Sequence, residues 1–124
     1  MTKEPMTEDQ LRERLIGRRA TVKNGALYID GREVTTYADD GDCCGYARAV
    51  VSPFADGIVT AVTQWTDRAN YGDEDWCSRS LVTIFHENTR LADMKAYASS
   101  GAGWPYGAVS QVLLDGDVLV EAVW

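Results

Sequence analysis

Hydrophobic positions along this chain keep two different periods. Between Thr7 and Gly17 they fall at Leu11 and Leu15, with Ile16 beside them, which is the spacing of one narrow helical stripe. Thr7 is placed as the N-cap, Gln10 three residues on completes a capping box, and Met6 is positioned to staple onto Leu11. Glu8 and Asp9 in the first turn and Arg14 in the last match the helix dipole, and Gly17 ends the helix at C′. A stripe this thin predicts a helix lying on a larger body.

From Arg18 onward the period falls to two. Residues 20–23 and 26–29 read as strands around Asn24-Gly25, a two-residue hairpin signal, and a third run covers 33–37 after Asp30-Gly31. Either of those two turns could instead be a bulge. Further strands are expected at 46–51 and 58–65, separated by a loop at 52–57 that Pro53 and Gly57 punctuate. Residues 66–78 form the longest polar stretch and read as a loop. Residues 81–87 are apolar on both faces and predict a central strand. Residues 91–98 fit both a helix and a strand, and the turn residues Asn88-Thr89 before them favour a hairpin strand. Strands at 108–114 and 118–123 close the chain around Asp115-Gly116.

The pattern therefore predicts a mainly β domain, α+β only at its margin. A flexible lead over 1–6 precedes a helix over 7–16 and an antiparallel body over 18–124. About seven to nine short strands would curl into a barrel or fold over as a sandwich.

Composition narrows the function classes. At 124 residues, 45% apolar and 25% charged, the chain is one ordinary globular domain. No apolar run approaches the roughly 18–20 residues that cross a bilayer, so no membrane role is expected. The polar start lacks the apolar stretch of a secretory signal, which points to the cytoplasm. Net charge is −7 and uneven: residues 1–24 hold six Lys/Arg against four Asp/Glu, and the rest hold six against fifteen. A body this acidic repels phosphate backbones, which argues against general nucleic-acid binding.

The chemistry-bearing residues cluster in residues 39–46, where Asp39, Asp40 and Asp42 surround Gly41 and precede Cys43, Cys44, Gly45 and Tyr46. Adjacent cysteines on a strand point to opposite faces, and no Cys-x-x-Cys pair anchors a zinc site. Asp40 and Asp42 could offer oxygens to a divalent cation, but the spacing is not that of an EF-hand. A tight turn, with Asp accepting backbone N–H groups and Gly at positive φ, accounts for the same residues. His86, the single histidine, has Cys77 as its nominal catalytic partner, yet no nucleophile context surrounds either, and a structural histidine fits better. The loop over 99–107 brings Gly101 and Gly103 next to Trp104 and Tyr106, whose flat faces suit stacking. Trp65, Trp76 and Trp124 read as core or edge-capping residues. No cofactor is implied.

A short Leu-Ile-Gly lead into strands, the segment from Asp40 to Ala47, and Trp104-Pro105-Tyr106-Gly107 opening a strand occur together. In these features the chain resembles a family of uncharacterised small proteins carried by phages of actinobacteria, marked by a central Gly-Asp-Cys-Cys segment. That resemblance implies an accessory protein acting inside a host cell, one that binds and disables a host factor or sequesters a defence signal. It transfers no catalytic role to any residue.

The leading expectation is thus a non-catalytic binder of a host protein, with Asp40, Asp42, Tyr46, Arg48, Trp104 and Tyr106 at its surface. The alternative is capture of a small nucleotide signal, with Trp104, Tyr106 and Tyr46 stacking a base and Arg48 or Arg79 meeting phosphate. A metal-dependent enzyme using Asp40, Asp42, Cys77 or His86 ranks third. Short strands and a closing hairpin that ends in Trp124 are compatible with a homodimer built through a sheet edge.

Overall fold

The computed structural model describes residues 4–41, 45–70, 76–100 and 107–124. It is mainly β: among the described residues one helix precedes eleven antiparallel strands in three sheets, none of which closes into a barrel. Helix α1 (Glu8–Leu15) begins at the predicted capping box, with the Gln10 amide donating to Thr7 Oγ1 at 3.2 Å and the Thr7 amide to Gln10 Oε1 at 2.9 Å. Gly17 follows at φ +87°, the left-handed conformation in which a Cβ is costly. Leu11 and Leu15 are fully buried and form the helix's grip on the body.

The first sheet has the order β3-β2-β1-β6, from β1 (Arg19–Lys23), β2 (Ala26–Ile29), β3 (Arg32–Glu33) and β6 (Gly57–Ile58). Asn24-Gly25 and Asp30-Gly31 both take positive φ at both positions, so both are two-residue primed turns. The second sheet, β11-β10-β4, is built from β4 (Thr35–Asp39), β10 (Val109–Leu114) and β11 (Asp117–Val123). The third, β5-β9-β8-β7, is the largest, from β5 (Gly45–Pro53), β7 (Ala61–Asn70), β8 (Trp76–His86) and β9 (Thr89–Ser100).

Several expected boundaries move. The single strand expected over 33–37 is two, because the chain changes sheets at the buried Val34, whose amide donates to Leu27 O at 2.9 Å. The strand expected over 58–65 is also split: fully buried Val59 exchanges hydrogen bonds with Gly17 and Arg18 and hands the chain from β6 to β7. Those two breaks turn nine expected strands into eleven. The loop expected at 52–57 starts later, since Ser52 and Pro53 still pair with Asp93 and Ala92; β5 is an edge strand, where proline's missing donor is tolerated. The polar stretch 66–78 is mostly ladder: β7 reaches Asn70 and β8 starts at Trp76, with residues 71–75 outside the described ones. Residues 91–98 are strand, inside β9.

Strand alternation divides the third sheet into two faces. One face buries Ala47, Val82, Ile84, Met94, Ala96 and Ala98, against Val112, Leu114, Val120 and Ala122 of the second sheet. The other face, described below, is open. Ion pairs join both the helix and β3 to the closing hairpin, with Arg14 3.4 Å from both Asp115 and Asp117 and Arg32 3.2 Å from Asp115. Each is exposed enough to contribute only about 0–1 kcal/mol.

Asp30 fixes the second primed turn onto β1. Its Oδ1 accepts the Arg19 amide at 2.9 Å, and that backbone bond holds its carboxyl below the usual range, aided by Arg18 3.3 Å away. A lowered pKa means stability that is present above the ordinary carboxyl value and is lost as pH falls through the lowered one. Acid titration of unfolding should therefore show a loss below about pH 4 that Asp30→Asn reduces, since the amide keeps an acceptor oxygen but has no charge to lose. An unchanged acid limb in that variant would remove Asp30 from the account.

Candidate functional site

The open face of the third sheet is set by period two and by register. On β5 it carries Tyr46, Arg48, Val50 and Ser52; on β9, Asp93, Lys95 and Tyr97; on β8, Arg79 and Leu81; on β7, Trp65. Pairing aligns these into rows across the four strands: Arg48, Tyr97, Arg79 and Asp67 in one, Val50, Lys95, Leu81 and Trp65 in the next. The face is concave and encloses about 720 Å³. That volume falls within the roughly 300–1,000 Å³ of small-molecule sites.

Aromatic rings stand at both ends. Tyr46 and Tyr97 meet edge to face, centroids 5.8 Å apart at 66°, and Tyr46 remains 48% exposed. Across the sheet Trp65 is 50% exposed, with the Arg79 guanidinium 5.4 Å from its ring centroid. Rings left half-exposed on a sheet face offer flat apolar surface to a ligand.

The charges divide into spent and open ones. Arg79 pairs with Asp67 at 2.7 Å, directly across the β7–β8 ladder. Asp93 accepts the Thr83 hydroxyl at 2.7 Å and pairs with Arg90. Arg48 and Lys95 are exposed, lie on neighbouring strands, and make no ion pair with any described residue. A chain of net charge −7 thus holds two uncommitted cations inside this concavity.

The sequence-predicted residues separate accordingly. Tyr46 and Arg48 are on this face, as is Arg79. Asp40 is not: its Oδ1 accepts the Ala47 amide at 2.9 Å, while Asp39 accepts the Gly41 amide at 2.9 Å and Gly41 sits at φ +73°. Those are the bonds of a turn leading into β5. Asp42, Cys43, Cys44, Trp104 and Tyr106 lie outside the described residues. His86 Nδ1 is 2.8 Å from Ile58 O, a structural bond tying β8 to β6. Buried Cys77 sits nine residues away on the same strand, about 30 Å at the rise of a β-strand, so the two do not form one catalytic or metal-binding pair. Among the described residues no group of three or more His, Cys, Asp or Glu could hold a metal ion. Trp124 is core, as expected, whereas Trp65 is a residue of the open face.

Sequence reasoning did not mark Lys95 or Tyr97 as site residues, and it read Trp65 as a core or edge-capping residue. A signal existed for the first two: with 91–98 read as a strand, Asp93, Lys95 and Tyr97 alternate with Ala92, Met94, Ala96 and Ala98. Comparison with protein-family models, with curated proteins and with solved structures finds no match. No described helix is long and apolar enough to cross a membrane.

Proposed function

We propose that this protein is a non-catalytic binder that captures a small anionic ligand carrying a nucleobase-type ring on the open face of its largest sheet. The observation behind this reading is the pair of uncommitted cations, Arg48 and Lys95, between half-exposed aromatic rings in a concavity of about 720 Å³. Cations of that kind recognise phosphate, and flat rings accept any base face. The acidic remainder of the chain disfavours a long polyanion while leaving a short one free to enter. In the setting that the family resemblance implies, the ligand would be a nucleotide signal withdrawn from a host cell.

Occupation of a host protein through residues 39–46 and 101–107 has less behind it. Asp40 is engaged in a turn, and Tyr46 and Arg48 face the concavity.

A thermal-shift panel of nucleoside phosphates, with the matching nucleosides and inorganic phosphate as controls, tests the reading. A nucleotide at 100 times its dissociation constant should add about 2.7 kcal/mol, which is roughly 10 °C for a domain of this size. Arg48→Ala and Lys95→Ala should each reduce that shift without lowering the melting temperature of the free protein. No shift with any nucleotide, or equal shifts in wild type and both variants, would overturn it.

A further inference from the structure

Resting on that reading, we infer that the ligand holds two bases joined through phosphate, one stacked at each end of the sheet face with the phosphates over Arg48 and Lys95. The rings are divided between opposite edges of the four-stranded sheet. Tyr46 stands on the edge strand β5, supported by Tyr97 of β9, and Trp65 stands on the other edge strand β7. Three interstrand steps carry the sheet about 14 Å from β5 to β7. Tyr46 and Trp65 are offset along the strands as well, because the residue of β5 in the row of Trp65 is Val50.

This separation exceeds by far the roughly 3.4 Å between successive stacked nucleotides in a helix. One base and its phosphate would leave the ring at one end uncovered. Two bases splayed to opposite sides of the phosphate that joins them would cover a ring at each end and place that phosphate in the middle.

The charges follow the same layout. Arg48 lies beside Tyr97 in its row, and Lys95 lies between Val50 and Leu81 in the row that ends at Trp65. Both open cations thus lie inside the span of the rings. Arg79, held by Asp67 and lying over Trp65, belongs to the ring end and offers a second planar surface there. Val50 and Leu81, half-buried between the ends, give a floor that suits sugar and base edges better than further charge. Two uncommitted positive charges match a ligand with two phosphate charges and not a long single strand, which the acidic body repels.

Calorimetric titrations of adenosine and guanosine 5′-monophosphate, 3′,5′-linked dinucleotides, cyclic dinucleotides and a ten-residue oligonucleotide distinguish the possibilities. A dinucleotide, linear or cyclic, should bind about tenfold or more tightly than either mononucleotide, the gain of one additional stacked base. Tyr46→Ala and Trp65→Ala should each cost about tenfold on the dinucleotide, while at least one of them leaves mononucleotide affinity unchanged. Both residues are half-exposed, so the variants should fold, and circular dichroism checks this. Mononucleotide and dinucleotide affinities that are equal, or a dinucleotide insensitive to one of the two variants, would overturn the two-base inference and leave the proposed function standing. A clear preference for the oligonucleotide would overturn it in favour of single-strand binding. No binding of any nucleotide would remove both.

Discussion

Reversing both open cations in one chain, Arg48→Glu with Lys95→Glu, should abolish nucleotide binding, with a loss of about a thousandfold or more. Hydrogen bonds to charged groups are worth about 1.5–3 kcal/mol each, so deleting two removes roughly 3–6 kcal/mol, and reversal adds repulsion. The effect on folding should be small, since both side chains are exposed and pair with no described residue; substitutions of that kind usually stay within about 0.5 kcal/mol. The double variant Arg48→Gln with Lys95→Gln separates the two contributions, because it removes attraction without adding repulsion. Wild-type affinity should itself weaken with salt, as the Debye length shrinks from about 10 Å at 0.1 M to about 3 Å at 1 M. Calorimetry at two ionic strengths gives both readings. Undiminished affinity in the charge-reversed chain would mean that the ligand's anion lies elsewhere.

That the site rests on four strands explains how it could be half seen before the fold was known. Tyr46 and Arg48 stand out because β5 alternates cleanly with Ala47, Ala49 and Val51. Trp65 and Lys95 join them only through the strand order β5-β9-β8-β7, which sets residues far apart in sequence side by side. Pairing of that kind is tertiary information. Local signals worked where the chemistry is local: the capping box of α1 and the positive-φ turns at Asn24-Gly25, Asp30-Gly31 and Asp115-Gly116 are all present.

Where boundaries moved, distant contacts decided. Val34 and Val59 are good strand residues, yet each is drawn into the core at a point where the chain changes sheets. The segment 66–78 lacks apolar alternation because the outer ends of β7 and β8 are held by ladder bonds and pairs such as Asp67 opposite Arg79. Period-two reasoning looks for apolar alternation, which the sequence of this segment does not offer.

The inner face of β9 carries the largest expected effect on stability. It presents Ala92, Met94, Ala96 and Ala98, all fully buried, so one long side chain stands in a row of minimal ones. Alanines there let the sheet of β10 and β11 approach closely, and Met94 fills the remaining gap between Val51 and Val82 on the flanking strands. Met94→Ala should cost about 2–5 kcal/mol, towards the upper end, because neighbouring alanines have no length with which to fill the void. That is a large part of the roughly 5–15 kcal/mol by which a domain is stable. In urea the midpoint should fall with the slope unchanged, since the native surface is the same. Nucleotide affinity measured well below the transition should persist, because Lys95 and Asp93 point from the opposite face of the same strand. A loss of both stability and affinity at low temperature would show that Met94 shapes the platform as well as supporting it. A midpoint unchanged from wild type would mean that the two sheets close over the missing side chain.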